Sequence, residues 1–518
     1  MASIVTRIGA RRHAVRGEDP VAESVLELAA DLEDMASLAR RTCRRIDWGL
    51  EDLGEVGGPD GMGARFAMEQ LLVHRRRVAM LRESMLADRE VALAARPTGH
   101  LVHRLAARKT AGLAALRTAR SVAAACITAA DWQSPSFAHS VHPQAGRFRG
   151  RVTEHHDDYR RDRHDDAARF EAAFLHEYVD HPAGLALRAL MTSCGMSAFT
   201  TILGWLLFEV RPPGPVLLGR RSYHECRDLV LRAFPGRVVE VDERHGDAML
   251  EALARHRPGA VFLDTLCNAS GIDVPDIPAV VRSLAGGGTG AVLVLDNTGR
   301  SCTFQPFVLV AAAGVRLVVH ESLTKYAQLG LDRVAAGMVV AGERDGEVLD
   351  GFREHLGTNV SDLAPHLVPD PDRAILERRL TRLGRNAEEL AIHMSGHPAA
   401  IGRRAGGIRV VHPALPSHPA WERTRDLRFR GGYLEIDLGR TATAGDRSRL
   451  VRLMLEEAER LKVPLVAGAS FGFDVARVYV TAADARAGIP FVRVAAGTEH
   501  RLALEELKAS MWAALDRL

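Results

Sequence analysis

The chain has 518 residues, 47% of them hydrophobic and 26% charged, with a formal net charge of +3. That length exceeds one ordinary hydrophobic core and points to two or three domains, and the composition excludes a disordered polymer. The small net charge is spread along the chain rather than gathered into a basic block, which argues against a nucleic-acid partner.

From Pro20 to about Ala130 the pattern is helical, with Val25, Leu28, Leu32, Met35 and Ala39 recurring on one face. Gly54 to Gly63, with Pro59-Asp60-Gly61, breaks the run. Two Ala/Arg-rich helical segments follow, around 64–95 and 101–130, separated by Pro97-Thr98-Gly99. The runs Arg75-Arg76-Arg77 and Arg104 to Lys109 read as solvated helix faces. No acid, base or nucleophile cluster is found, so residues 1–145 read as a helical extension that serves packing, with Gln133 to Arg151 as a linker. The longest uncharged stretch, Ala189 to Phe208, carries Ser, Thr, Cys and Gly in its middle. It fits a loop followed by a buried helix better than a membrane span.

After residue 185 short apolar runs alternate with amphipathic segments. Pro215–Gly219, Arg237–Asp242, Ala260–Asp264, Ala291–Asp296, Val315–His320 and Ala335–Ala341 are the predicted strands of an α/β domain, placed over 146–345. In such a mostly parallel sheet, flanked by helices, ligands bind beyond the carboxyl ends of the strands. Six cysteines at 43, 126, 194, 226, 267 and 302 show no disulfide-like spacing, which predicts a reducing, cytoplasmic setting. The Arg-rich first 17 residues share the bias of the whole chain and carry no apolar run, so no secretory signal is read there.

Polar residues fall at the predicted strand ends. Asp296 ends one strand, Asn268 follows another, and Gly195-Met196 opens a helix whose backbone N–H groups suit a phosphate. The run from Val318 leads through Ser322 and Thr324 into Lys325. A lysine at the end of a buried strand is costly to keep charged, which favours a neutral, nucleophilic amine. Lys325 is therefore read as the attachment point of pyridoxal 5'-phosphate, Ser322 and Thr324 as hydroxyls for its phosphate, and Asp296 as the carboxylate for its ring nitrogen. Singly, each also fits a plainer role: a surface lysine, a helix cap for Asp296, a turn residue for Asn268.

Taken together, these positions resemble the Cys/Met metabolism enzymes that use pyridoxal phosphate, the cystathionine γ-synthase/γ-lyase group. Cys194-Gly195-Met196 resembles that family's Ser-Gly-Met phosphate loop, and Tyr223-His224-Glu225-Cys226 stands where it has Tyr-Gly-Gly-Thr. Asp264 to Ala269 resembles Glu-Thr-Pro-x-Asn-Pro, Leu295 to Thr298 resembles Val-Asp-Asn-Thr, and His320 to Tyr326 resembles His-Ser-x-Thr-Lys-Tyr with one residue more. Tyr159-Arg160-Arg161 is similar to the family's Tyr-Ser-Arg arm, Ser470-Phe471-Gly472 to its Ser-Leu-Gly turn, and Val492 to Glu499 to its Val-Arg-Leu-Ser-x-Gly-x-Glu.

The resemblance implies fold type I, the aspartate-aminotransferase fold, with a C-terminal α+β small domain over 346–518. It implies that Tyr223 stacks on the cofactor ring and that Asn268 faces the ring oxygen. It further implies that Arg493 clamps the α-carboxylate of an amino-acid substrate near Ser470. Tyr159 and Arg161 would reach into a neighbour's site, so a homodimer or homotetramer with shared sites is expected, with Tyr159 and Tyr223 assisting Lys325. The implied chemistry is γ-elimination or γ-substitution through a vinylglycine-type intermediate. An O-acylhomoserine, a cystathionine-like or an S-adenosylmethionine-like substrate would supply the leaving group. An aminotransferase is the alternative, and a cofactor-sensing regulatory protein a third. The chain departs from the family at His224-Glu225-Cys226, at Leu329 to Asp332 and around His164 to Asp166, and the resemblance does not reach residues 1 to about 150.

Overall fold

The computed structural model describes residues 19–55, 61–128, 165–180, 184–288, 290–311, 313–401, 407–439, 441–481 and 489–518. Counting helices of ten residues or more, the chain opens with α1 (Pro20–Glu55), α2 (Gly61–Ala94) and α3 (Gly99–Ile127). Pro20 sits at the start of α1, where its missing N–H costs nothing. Thr98 starts α3 by accepting the N–H of Leu101, so Pro97-Thr98-Gly99 both stops one helix and caps the next. The predicted apolar face of α1 is buried throughout. The predicted solvated face of α3 needs correction: Arg104 and Arg108 are exposed, but Lys109 is buried between Asp31 and Asp474, two counter-charges distant in sequence. Leu113 and Leu116 of α3 share one apolar cluster with Leu329, Leu331 and Val368, so the helical extension and the sheet domain are joined by a common core.

After α4 (Asp165–Tyr178) comes a seven-stranded sheet: β1 (Leu187–Thr192), β2 (Val216–Gly219), β3 (Val238–Val241), β4 (Ala260–Asp264), β5 (Val292–Asp296), β6 (Arg316–Ser322) and β7 (Gly337–Gly342). Its order is β1-β7-β6-β5-β4-β2-β3, with β7 antiparallel to both neighbours and the other pairings parallel. The central strands are buried on both faces, which explains their unbroken Val/Leu runs. The start of the long uncharged stretch is strand rather than loop: β1 pairs with β7 from Leu187↔Gly342 to Thr192↔Gly337. Helices α5 (Gly195–Trp205), α6 (His224–Ala233), α7 (Gly246–His256), α8 (Ile277–Gly287) and α9 (Glu343–His355) accompany the sheet.

Helix α10 (Arg373–Ser395), capped by Asp372, carries the chain to a second sheet of order β10-β11-β12-β9-β8. Its strands are β8 (Arg409–Val411), β9 (Tyr433–Asp437), β10 (Val466–Ala467), β11 (Arg477–Thr481) and β12 (Phe491–Ala495). Helices α11 (Ala444–Leu461) and α12 (Arg501–Asp516) bury Leu453, Met454, Leu504 and Met511 in the second core, with Leu434, Ile436, Val492 and Val494 of this sheet. Among the described residues no helix is long and apolar enough to cross a membrane. The architecture is the expected one, a mostly parallel α/β sheet with an α+β unit after it and helices before it. In the first sheet Asp264 stands opposite Asp296, and Asp296 opposite His320, so three neighbouring strands bring polar residues to one edge.

Candidate active site

Beyond that edge lies a cavity of about 210 Å³. Eight residues singled out from sequence line it: Gly195, Met196, Tyr223, Asn268, Asp296, Ser322, Thr324 and Lys325. Tyr159 and Arg161 lie outside the described residues.

Lys325 follows β6 by three residues, and its Nζ stands 5.5 Å from the ring centre of Phe471. Burial, with Arg493 adding to it, lowers the pKa of this amine, while Asp296 and Glu225 act in the opposite sense. The chain contains four lysines, and the other three are otherwise engaged. Lys109 and Lys508 are held in ion pairs, and Lys462 is an exposed residue that ends α11. That scarcity is visible in the sequence, and the structure leaves Lys325 by elimination.

One end of the cavity is built for a phosphate. Cys194 caps α5, its Sγ accepting the N–H of Ser197 at 3.3 Å, and the first residues of that helix line the cavity together with Ser322 and Thr324. A Cβ on Gly195 would lie 2.7 Å from Cβ of Ser322, so only glycine lets the helix start come this close to the strand end. The N–H of Ser322 donates to Oγ1 of Thr298 at 2.9 Å, and the N–H of Thr298 donates to Oδ1 of Asp296 at 2.8 Å. Phosphate end and ring end are thereby tied by a short relay. Gly195→Ala should weaken the affinity for pyridoxal phosphate by about 1–3 kcal/mol, the usual cost of overpacking, measured by titrating the apo-protein spectroscopically. Unchanged affinity would mean that the phosphate sits elsewhere.

At the ring end, sequence reasoning missed Asp264. Burial first, and the facing Asp296 second, push its carboxyl well above the usual range. Its Oδ2 accepts the N–H of Tyr223 at 3.0 Å and of Asn268 at 3.5 Å, holding the stems of both. Successive strands that both end in aspartate were the available signal. Cys226, Phe471 and His320 also line the cavity. The hydroxyl pKa of Tyr223 is raised, by burial first and then by Glu225.

Arg493 lies in β12, outside the cavity wall but beside it, with its guanidinium carbon 6.0 Å from the Phe471 ring centre and 4.4 Å from that of Tyr433. Its Nη1 donates to the hydroxyl of Tyr479 at 3.0 Å, while Nε and Nη2 are buried with no partner among the described residues. That open edge is the one that grips a carboxylate with two parallel bonds. Ser470, in a left-handed conformation at φ 80°, has a buried hydroxyl without a partner, as has the side-chain oxygen of Asn268. Each of these orphaned polar groups is free to bond a ligand. The glycine-lined helix start, the strand-end carboxylate and the buried lysine of lowered pKa fit pyridoxal phosphate, and the open arginine edge fits an amino-acid carboxylate.

A family model described as Cys/Met metabolism PLP-dependent enzyme matches residues 128–454. The bifunctional enzyme flvA of Aspergillus flavus is 28% identical over 319 residues, covering 60% of this chain, and the chain spans only 37% of that protein's length. Among solved structures, a cystathionine gamma synthase from Xanthomonas oryzae pv. oryzae, in complex with aminoacrylate and cysteine, is similar with a TM-score of 0.56 and 21% identity, covering 71% of this chain and 92% of that one. A cystathionine gamma-lyase from Lactobacillus plantarum, complexed with L-serine, has a TM-score of 0.56 at 18% identity, with 74% and 93% covered. At these identities the structural likenesses speak for the fold.

Proposed function

The chain belongs to the Cys/Met metabolism PLP-dependent enzyme family, and from that premise we propose that it acts on an amino acid by γ-elimination or γ-substitution. The observation that carries the proposal is the pairing of a buried amine of lowered pKa at Lys325 with a carboxylate-gripping edge on Arg493, both within about 6 Å of the Phe471 ring centre. When bound, pyridoxal phosphate supplies an aldehyde for the substrate amine and a ring that takes up electrons from Cα. Arg493 holds the substrate's α-carboxylate. Asp296 keeps a proton on the ring nitrogen, and Tyr223 covers the ring face. Lys325, once free, takes the proton from Cα and moves a second one at Cβ, the step that lets a γ-substituent leave. Tyr223, which lines the same cavity as Lys325, is the phenol to assist the leaving group. Tyr159 and Arg161 of a neighbouring subunit would complete the phosphate end, in a homodimer or homotetramer of cytoplasmic location.

His224, Glu225 and Cys226, standing where the family pattern has Gly-Gly-Thr, favour a pocket reshaped for a bulkier substrate or a second acceptor molecule. The test is proton exchange in D2O with γ-substituted amino acids. Deuterium at both Cα and Cβ is expected, with release of the γ-substituent. Exchange at Cα alone, with stoichiometric pyridoxamine phosphate, would make the protein an aminotransferase instead.

A further inference from the structure

Two loops meet beside Lys325, and both are conformationally strained. Leu329, Gly330 and Asp332 have φ of 51°, 85° and 47°, and Ser470 and Gly472 have φ of 80° and 89°. For the non-glycine residues such a backbone costs on the order of 1–2 kcal/mol each and persists only where the surroundings impose it. The second loop packs on the lysine segment itself: a Cβ on Gly472 would lie 2.9 Å from Cδ1 of Tyr326 and 3.1 Å from the carbonyl carbon of Lys325.

Much of what holds them comes from the N-terminal helices. Arg117 of α3 donates from Nε to the carbonyl of Leu331 at 2.7 Å and from Nη2 to that of Gly330 at 2.8 Å. Roughly two turns earlier on the same helix, Lys109 meets Asp474 at 3.3 Å, Oγ1 of Thr498 at 2.9 Å and Asp31 of α1 at 2.9 Å. Arg379 of α10 joins the second cluster, with Nη1 2.9 Å from Asp474 and Nη2 donating to the carbonyl of Gly472 at 3.3 Å. Burial works against charge on Asp474, but Lys109 and Arg379 outweigh it and hold its carboxyl well below the usual range. Burial likewise opposes the Lys109 ammonium, and Asp31 and Asp474 overcome it.

We propose that Arg117 and Lys109 are positioning residues of the active site: through them the N-terminal helices hold loops 329–332 and 470–474 in the strained form that fixes Lys325 and Phe471. The role rests on the Lys325 cavity being the cofactor site, although none of the module's described residues lines that cavity.

The experiment compares full-length Arg117→Met and Arg117→Lys with the parent, and with Arg104→Met as an exposed control on the same helix. Amide hydrogen exchange is followed over residues 326–334, alongside the dissociation constant for pyridoxal phosphate and the pH midpoint of the bound cofactor's visible absorbance. Arg117→Met should speed exchange in 326–334 by roughly tenfold or more, weaken the cofactor roughly tenfold and move the pH midpoint, leaving α11 unaffected. Arg117→Lys, which keeps one donor of two, should fall between, and Arg104→Met should match the parent. Lys109→Met paired with Asp474→Asn, which avoids stranding that carboxylate, should have the corresponding effect on 470–476. Exchange within twofold of the parent in both loops, or equal changes in α11, would overturn the proposal. A parent protein that binds no pyridoxal phosphate would instead remove the cofactor assignment, and exchange would still report on the brace.

Discussion

Lys325→Ala is expected to lose turnover by roughly 10⁴-fold or more, because one side chain supplies both the covalent anchor and the proton carrier, and general acid–base catalysis alone accounts for ~10²–10⁴. The fold should survive, since among the described residues the amine makes no ion pair and its burial disfavours the charged form rather than stabilising the fold. Borohydride reduction of the parent followed by peptide mapping should place the pyridoxyl mass on Lys325. With four lysines in the chain the assignment is unambiguous. A label on Lys109, Lys462 or Lys508 would sink the whole site.

Arg493→Ala should cost about 2–5 kcal/mol in kcat/KM, the range for removing one partner of a buried, hydrogen-bonded charge pair, with most of the loss in KM. The side chain is buried, its Nη1 is already taken by Tyr479, and four aromatic rings surround the guanidinium. Arg493→Lys keeps the charge but cannot reproduce two parallel bonds, so it should recover only part of the loss. Steady-state kinetics with an amino acid and with its decarboxylated amine decide the matter. If the amine loses as much rate as the amino acid in the variant, Arg493 does not grip the carboxylate.

The strands that carry the site were legible because a parallel sheet buries both faces. Each appears as a short apolar run, and β4 was located to the residue at both ends. Strand β1 was hidden because its residues pass into α5 with no charge or change of period to mark the join, and because its partner β7 lies about 150 residues away. Strand β6 runs two residues past its predicted end, since Glu321 and Ser322 are polar yet still pair with β7. Residues at strand ends were recoverable from sequence: Asp296, Asn268 and Lys325 stand where a short pattern places them. Asp264 lines the cavity too, but what it accepts from Tyr223 and Asn268 is a contact between separate segments that no local pattern displays. Lys109 defied local reading for a related reason. Its neighbours in sequence are arginines facing water, and its counter-ions come from Asp31 and from Asp474, at the far end of the chain.

The long opening helix also reaches the second sheet's own helix. Ser24 accepts the N–H of Leu502, and Glu27 accepts that of Arg501, while Arg382 and Arg385 of α10 pair with Glu27. Lys109 and Arg117, on the same three-helix unit, hold loops from both halves of the protein. A swing of the C-terminal half against the large sheet would have to break these ties together. The molecule is therefore cross-braced like a frame with a diagonal strut.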